Sequence, residues 1–496
     1  MMGCVASVET LSLFGVETRR VSVEVSVSGG IPGVDIVGMP DSSVLEARSR
    51  VRCAMRSCDF DLPRERITVN LAPAGIRKSG TAFDLPIAAA ILIATRQLPP
   101  DLARNYLLVG ELGLDGSVNP VRGDVAYAAR ARDLGLTLVT SAASPLVLGC
   151  ADDVRGISSL SQLKGGLAAL PPLWAEGDEG VGDVPARLDF DDVVDQELAK
   201  RAMIIAAAGR HGILMVGPPG AGKTMLARRL PTILPPLSET ERAEALLVHS
   251  VAGQPIEAIA RGERPFRAPH HSISTGGLVG GGRPVLPGEI SLAHEGVLFL
   301  DELPEFASNT LQALRQPLED HVVRISRVDG TFTFPCDFQL VAAANPCPCG
   351  HLGDVGHDCT CSASRIAAYQ AKIGGPLMDR IDVVVDVARP KTSKVIKGQT
   401  GMGSSQMAED VSRAREFSSW REAHLGEGIK DPISRARLDL RAQEVFEGFA
   451  ERLALGGRAI VRVARVARTI ADLDERELVS EDDVVEALGF RSRAVE

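Results

Sequence analysis

The alternation of apolar and polar residues predicts strands and a buried helix near the start of the chain. Residues 21–28, VSVEVSVS, alternate with a period of two, which is typical of a half-buried strand. Residues 67–71, ITVNL, predict a second strand, and the apolar stretch over 84–95 predicts a helix after a glycine-containing turn. Residues 1–168 are therefore expected to form an α+β domain.

Two changes in composition divide the rest of the chain. Residues 169–187 include the acidic, glycine-rich run AEGDEGVGDVP, and residues 390–408 are rich in Lys, Gly and Ser, so both predict linkers. Between them, 188–389 contains apolar strands and helices and predicts an α/β domain. Residues 409–496 have a helical pattern, and Ser480-Glu481-Asp482-Asp483 resembles a capping box. The expected fold class is multidomain α/β with an all-α C-terminal region.

Composition and charge limit the classes of function. The chain has 496 residues, 45% hydrophobic and 24% charged, and its longest apolar run is too short to span a bilayer. We therefore expect a globular, cytoplasmic protein with no membrane partner. The formal net charge of −10 argues against general binding of polyanions, although it leaves room for a local basic surface such as a pore lining. Five scattered single cysteines fit a reducing compartment.

A glycine-rich stretch in the α/β domain predicts nucleotide binding. Residues 217–224, GPPGAGKT, match G-x-x-x-x-G-K-[ST] and lie between an apolar strand and a predicted helix. The backbone N–H groups of such a loop wrap phosphates, while the lysine reaches the β and γ phosphates and the hydroxyl binds Mg²⁺. The expected ATP-binding residues are Gly217, Pro218, Pro219, Gly220, Ala221, Gly222, Lys223 and Thr224.

Two further apolar strands end in polar side chains that suit ATP hydrolysis. The run VLFL ends in Asp301 and Glu302, where Asp301 would share the Mg²⁺ shell with Thr224 and Glu302 would activate the attacking water. The strand over 339–343 ends near Asn345, a neutral side chain placed to hold the water or sense the γ-phosphate; alternatively, Asn345 closes a turn. Together with the phosphate loop, these residues predict an ATPase.

Arg380 is a candidate for completing the site of a neighbouring subunit. It occurs in GPLMDRID and has no obvious partner in the local sequence. An arginine delivered from another subunit can stabilise charge on the transferred phosphoryl group. The alternative is an ion pair within the chain, with Asp379 or Asp382.

Four cysteines within fifteen positions predict a metal site. Their pattern is Cys-x-Cys, nine residues, Cys-x-Cys, which can close a tetrahedral sulfur shell around Zn²⁺, with His351 and His357 as possible substitute ligands. The surrounding loop has no apolar run, and a metal would supply folding energy to it. The proposed zinc ligands are Cys347, Cys349, Cys359 and Cys361.

The order of these motifs resembles the YifB/ComM group of magnesium-chelatase-like AAA+ ATPases along essentially the whole chain. The motifs are GPPGAGKT, FRAPHHSISTGGLVGGG, PGEISLAHEGVLFLDELPEF, AANPCPCG and GPLMDRID. The resemblance implies a Lon-protease-like N-terminal domain, an AAA+ core, a helical lid and a homohexameric ring. It also implies that Asn345 is the first sensor, Arg380 an arginine finger acting in trans and Arg458 the second sensor. Asp195 and Gly456 depart from the residues usual in the family.

The same resemblance argues against proteolysis. Lon-type proteases use a Ser nucleophile with a Lys base. Alignment with their motifs places Ala82 where the serine would be and Val125 where the lysine would be. The N-terminal domain is therefore expected to be a retained fold used for binding or assembly.

The resemblance implies a ring motor acting on DNA, a branch-migration helicase in natural transformation. Residues 322–335 predict a β-hairpin whose Arg324 and Arg327 could touch phosphates in the ring channel, or could simply form a solvated face. One alternative is a chelatase-type ATPase that remodels a protein partner for metal insertion into a porphyrin. A third class is a scaffold whose assembly ATP regulates. Dependence of hydrolysis on DNA, on a protein partner or on neither separates the three.

Overall fold

The computed structural model shows a mixed α/β protein with a helical C-terminal region. None of the helices in the part of the chain that the structure describes has the length and hydrophobicity of a bilayer span. The described residues are 5–145, 153–173, 188–328, 330–354, 356–373, 377–396, 401–425 and 431–491.

The N-terminal part is an α+β unit, as predicted. Four strands form one sheet in the order β1-β2-β4-β3, and β5, β8 and β9 form a second, parallel sheet. Every residue of α2 is buried, which explains its continuous apolar sequence. The strands are β1 Val5–Phe14, β2 Glu17–Ser28, β3 Gly33–Val37, β4 Arg66–Ala72, β5 Tyr106–Leu108, β6 Glu111–Leu112, β7 Val118–Asn119, β8 Thr137–Ser141 and β9 Val154–Ile157. The helices are α1 Ser42–Ser57, α2 Asp84–Ala94 and α3 Asp124–Asp133.

The two positions aligned with a protease dyad carry no reactive group. Ala82 and Val125 are each 5% exposed and belong to the same apolar cluster. A methyl group and an isopropyl group cannot attack or deprotonate a peptide, so this pair cannot supply Ser-Lys chemistry. The likeness of this domain to Lon proteases stays a prediction.

The central part is built on a five-stranded sheet in the order β11-β14-β17-β10-β18, with parallel neighbours throughout. Because parallel strands carry their carboxyl ends on one edge, the loops after β10, β14 and β17 meet there. The strands are β10 Ile213–Val216, β11 Phe266–Arg267, β12 Gly280–Gly281, β13 Leu286–Pro287, β14 Val297–Leu300, β15 Val322–Arg327, β16 Gly330–Pro335, β17 Gln339–Ala344 and β18 Val383–Asp386. The helices are α4 Glu197–Gly209, α5 Lys223–Arg229, α6 Glu239–Ala252, α7 Glu257–Ala260, α8 Thr275–Val279, α9 Glu289–Leu292, α10 Ser308–Ala313, α11 Arg315–Asp320, α12 Ala363–Ile373 and α13 Thr392–Ile396.

The N-terminal domain packs directly on the α/β core. One apolar cluster contains Leu11 and Val109 from the first domain and Ala245 and Leu246 from α6. The carbonyl of Ser250 also accepts a hydrogen bond from the amide of Gly123 at 3.0 Å. The predicted linker over 169–187 lies outside the described residues from 174 onward.

The predicted hairpin forms, and it contacts the N-terminal domain. Strands β15 and β16 pair antiparallel. The ring of Phe332 stacks on Phe14 at 4.2 Å between centroids, and the guanidinium of Arg19 lies 3.6 Å from the Phe14 ring centroid. Arg324 pairs with Asp320 at 3.4 Å. At least one side of the hairpin is therefore covered by the N-terminal domain.

The C-terminal region is helical, as predicted, but it begins earlier than predicted. The segment 390–408 is not a linker throughout, because it contains α13 and the start of α14, and Met407 is buried. Side chains hold this segment to the core: Lys394 pairs with Asp195 at 2.5 Å, and Ser404 Oγ accepts from the amide of Phe190. The predicted capping box at Ser480 and Asp483 is confirmed. The helices are α14 Ser404–Leu425, α15 Pro432–Ala436, α16 Leu440–Arg452, α17 Gly457–Leu473 and α18 Glu481–Gly489.

Candidate nucleotide and metal sites

The predicted phosphate loop joins β10 to α5. Gly220 and Gly222 have φ of +78° and +94°, conformations that glycine adopts at little cost and that turn the loop into the helix. The Lys223 ammonium donates to the Gly217 carbonyl at 2.6 Å, to the Pro218 carbonyl at 3.0 Å and to Asn345 Oδ1 at 3.1 Å. Burial lowers the pKa of Lys223, and the negative charges of the nearby acids oppose that shift. The lysine is thus held over the loop by the side chain predicted to be a sensor.

The acids after β14 lie beside the loop. Thr224 Oγ1 donates to Asp301 Oδ2 at 2.8 Å, so the two predicted magnesium ligands are neighbours. Oxygen donors of this kind are the ligands Mg²⁺ prefers. The predicted residues Lys223, Thr224, Asp301 and Asn345 therefore meet at one edge of the sheet.

Glu302 has a special conformation and an unpredicted partner. Its φ is +52°, a left-handed backbone that is uncommon outside glycine, and its side chain is 53% exposed. His271 Nδ1 lies 3.3 Å from Glu302 Oε2. The sequence signal for the contact between His271 and Glu302 is weak: a histidine follows β11, and β11 pairs with β14, the strand that Glu302 follows.

The four cysteines converge as the spacing predicted. Their sulfur atoms all lie within 4.8 Å of one another, and the Cys347–Cys349, Cys347–Cys359 and Cys349–Cys359 separations are 3.3, 3.6 and 3.6 Å. Zn–S bonds of about 2.3 Å at tetrahedral angles would place sulfurs roughly 3.8 Å apart, so the set fits a zinc ion. Hydrogen bonds from the backbone of His351 and Thr360 lower the pKa of Cys349 to about 5, which favours the thiolate that ligates metals. The pKa values of Cys359 and Cys361 are raised instead, because backbone hydrogen bonds that act to lower them are outweighed by burial and by the neighbouring cysteines.

The two histidines considered as substitute ligands are used elsewhere. His351 Nδ1 and His357 Nδ1 lie 3.2 and 3.4 Å from Asp354 Oδ2. Arg389, three residues after β18, lies 3.2 Å from the same oxygen. These contacts join the cysteine insertion to the segment that follows β18. The four sulfur atoms can complete a tetrahedral zinc shell without either histidine.

The cysteine insertion also rests on the phosphate loop. Gly350 has φ +84°, and a Cβ built there would lie 2.6 Å from Pro219 Cδ and 4.0 Å from Asn345 Cγ. Gly350, which directly follows Cys349, therefore lies close to the phosphate loop and to the predicted sensor. The cysteine insertion and the candidate nucleotide site are thus in direct contact at this point.

Arg380 and Arg458 are not placed with Lys223 but lie together at the other end of the sheet. Residue 216 of β10 pairs with residue 386 of β18, whereas Arg380 precedes β18. Arg380 forms an ion pair with Glu319, a residue of α11 that the local sequence does not indicate as its partner. Arg458 pairs with Asp379 at 3.2 Å. Burial lowers the pKa of Arg380, and the positive charge of the nearby Arg458 lowers it further. Both arginines therefore lie at the end of the sheet opposite the phosphate loop of their own chain.

Comparison with known proteins identifies the family. Models described as "Subunit ChlI of Mg-chelatase", "Magnesium chelatase, subunit ChlI" and "Magnesium chelatase, subunit ChlI C-terminal" match residues 23–143, 189–395 and 401–491. YifB of Escherichia coli is 38% identical over 499 residues, covering 98% of this chain and 96% of YifB. Competence protein ComM of Haemophilus influenzae is 39% identical over 497 residues, covering 98% and 97%.

A more distant match links the chain to the chelatases proper. The magnesium-chelatase 67 kDa subunit of Chlorobaculum parvum is 28% identical over 167 residues, which is 32% of this chain and 23% of that subunit. Near-complete coverage is seen with YifB and ComM instead. The chain belongs to the YifB/ComM family of magnesium-chelatase-like AAA+ ATPases.

Proposed function

We propose that this chain is an ATP-hydrolysing ring motor that acts on DNA. The observation that carries the proposal is the meeting of Lys223, Thr224, Asp301 and Asn345 at one edge of the sheet, with Arg380 and Arg458 at the opposite end. Lys223 would bind the β and γ phosphates, and Thr224 and Asp301 would hold Mg²⁺, which when bound neutralises phosphate charge. Glu302 follows directly and would accept the proton of the attacking water.

The position of the arginines supports assembly into a closed ring. The ATP site lies at one end of the sheet and the two arginines at the other, so the arginine end of one protomer could contact the ATP site of the next. Head-to-tail contacts of this kind between identical protomers generate a ring when the rotation between neighbours closes. In a homohexamer, Arg380 and Arg458 would reach the phosphates bound by the adjacent protomer. Because Arg380 pairs with Glu319 within its own chain, that arginine would exchange one carboxylate for a phosphate.

DNA is the proposed substrate because of the family relationship. The relative with near-complete coverage from Haemophilus influenzae is named a competence protein. We extend this to branch migration of incoming DNA during natural transformation. The exposed arginines of the β15–β16 hairpin are the candidate phosphate contacts. Zinc at the four cysteines would brace the segment between Asn345 and Arg380.

A second candidate is an ATPase that remodels a protein partner for metal insertion. The match of the ChlI models to three parts of the chain favours it. In this case a protein partner and a porphyrin, rather than DNA, would change the rate of hydrolysis. The two candidates share one ATP site and differ only in what stimulates it.

The discriminating experiment is steady-state ATP hydrolysis with no DNA, single strands, duplex and a four-way junction, each at two salt concentrations. Phosphate contacts release counterions, so stimulation through them must weaken as salt rises. Lys223→Ala is the control that removes hydrolysis by this site. Stimulation by single-stranded or branched DNA that falls with salt supports the DNA motor. A sound basal rate that no DNA changes excludes DNA as the substrate and favours the protein partner.

A further inference from the structure

A cavity of about 510 Å³ lies between the C-terminal end of α4 and the helices α14, α15 and α17. It is separate from the nucleotide site, because α4 leads into the amino end of β10 and the phosphate loop follows the carboxyl end. Its lining holds six arginines against two carboxylates, Asp472 and Glu422. The arginines are Arg210, Arg415, Arg421, Arg435, Arg465 and Arg468.

Both carboxylates of the lining are already paired with arginines of the lining. Asp472 accepts from Arg421 Nε at 2.9 Å and Nη2 at 3.0 Å, and from Arg468 Nε at 3.1 Å. Glu422 accepts from Arg421 Nη1 at 2.9 Å and lies 3.5 Å from Arg435. The acids therefore fix the wall. Arg210 is paired as well, with Glu295 at 3.3 Å and Asp337 at 3.1 Å, neither of which lines the cavity, so the positive charge left for a ligand is on Arg415, Arg435 and Arg465.

Arg415 lines the cavity without a carboxylate partner. Its guanidinium donates to the Ala207 carbonyl through Nε at 3.2 Å and Nη2 at 2.6 Å, and it forms no ion pair within the described ranges. Burial, with added repulsion from Arg264 and Arg210, lowers the pKa of Arg415 to about 10. An anion bound beside Arg415 would stabilise the charged form of its guanidinium.

Arg435 and Arg465 reach the cavity from different helices, and each is about half exposed. Arg435 has side-chain exposure of 53%, and Arg465 has 52% with its nearest carboxylate, Asp382, at 3.8 Å. Both side chains are therefore weakly held and accessible to a solute. The hydroxyls of Ser418, Ser419 and Thr469 add polar groups to the same lining.

We propose that this cavity binds a small polyphosphate anion. Guanidinium groups from separate helices match the several oxygens of a phosphate chain, each able to donate two parallel hydrogen bonds. The volume lies within the roughly 300–1,000 Å³ of small-ligand pockets. Such an anion would link α4 of the core with α14, α15 and α17, and it would thereby tie the core to the helical region. The cavity shares no lining residue with the phosphate loop.

The test is calorimetric titration of inorganic pyrophosphate into the full chain carrying Lys223→Ala, which weakens phosphate binding at the loop. Arg435→Gln and Arg415→Gln are compared in that background with Arg413→Gln. Arg413 is the matched control, since it lies on α14, is 59% exposed and does not line the cavity. Arg435 is exposed, so its substitution leaves the fold intact even if Arg415→Gln destabilises the chain.

Each cavity variant should weaken pyrophosphate binding roughly tenfold or more, because a hydrogen-bonded charged partner is lost, and Arg413→Gln should not. ADP in place of pyrophosphate then separates the sources: tighter, Arg435-dependent binding of ADP assigns a nucleotide, and equal binding assigns an inorganic phosphate. Equal affinity in all variants, or no binding by the parent, overturns the proposal. Arg435-dependent binding of a short oligonucleotide without binding of pyrophosphate also overturns it.

Discussion

Replacing Gly350 with alanine should separate the cysteine insertion from the phosphate loop. The new Cβ would lie 2.6 Å from Pro219 Cδ and 2.8 Å from Pro219 Cγ. Carbon atoms pack at about 3.5–4.0 Å, so the two segments must move apart by roughly 1 Å. The proline ring is stiff, and the shift therefore passes to the backbone of the loop that would bind the phosphates.

The expected size of the effect follows from that displacement. A misplacement of about 1 Å in a catalytic arrangement can cost about a hundredfold in rate. The substitution also carries a backbone penalty of about 1–2 kcal/mol, because Gly350 has φ +84°. The rate loss and the stability loss have different origins, and a second glycine in the insertion allows them to be separated.

Gly353→Ala is the matched control. Gly353 has φ +75°, and a Cβ there meets nothing within 4 Å, so the backbone penalty is shared and the clash is absent. Steady-state kcat for ATP hydrolysis should fall about a hundredfold in Gly350→Ala and stay at the parent value in Gly353→Ala, with similar losses in melting temperature. Equal kcat in the two variants would refute the idea that the insertion supports the loop.

Three further substitutions test separate parts of the molecule. Glu302→Gln should lower kcat by about 10²–10⁴-fold, because the group that accepts the proton of the attacking water is lost. Nucleotide binding, measured by the fluorescence of a labelled ATP analogue, should be retained. An unchanged kcat would exclude Glu302 as the general base. Cys359→Ser combined with Cys361→Ser should abolish bound zinc in elemental analysis and lower the melting temperature, and full metal content would rule out the four-sulfur site. Asp472→Asn should lower the free energy of unfolding by about 1.5–3 kcal/mol, since it removes the buried negative charge that Arg421 and Arg468 share and leaves only Glu422 beside Arg421, and an unchanged urea midpoint would contradict this.

The parts of the site that sequence predicts are those with local signals. The phosphate loop, the acids after β14 and the Cys-x-Cys pairs each combine characteristic residue types with fixed spacing. The alternation over residues 21–28 likewise predicts β2, because one face of that strand is buried. These signals depend on a few consecutive residues, and the fold class follows from their order along the chain.

The parts that sequence does not predict are contacts between distant side chains. Arg380 with Glu319 and His271 with Glu302 come from the packing of separate loops, which no local pattern records. Asp195 shows the same limit: its φ is +57°, in the left-handed region that glycine favours, and its carboxylate pairs with Lys394 from the segment predicted as a linker. The pairing stabilises structure where composition alone indicates mobility.

A mixing experiment tests most directly whether neighbouring protomers share one ATP site. Lys223→Ala and Arg380→Ala are purified separately, shown by sizing to assemble, and assayed for ATP hydrolysis alone and as an equal mixture. Each variant alone should be nearly inactive, while about one interface in four of a mixed ring pairs an intact Lys223 with an intact Arg380 and restores activity. A mixture no more active than its components would contradict a site shared between neighbouring protomers.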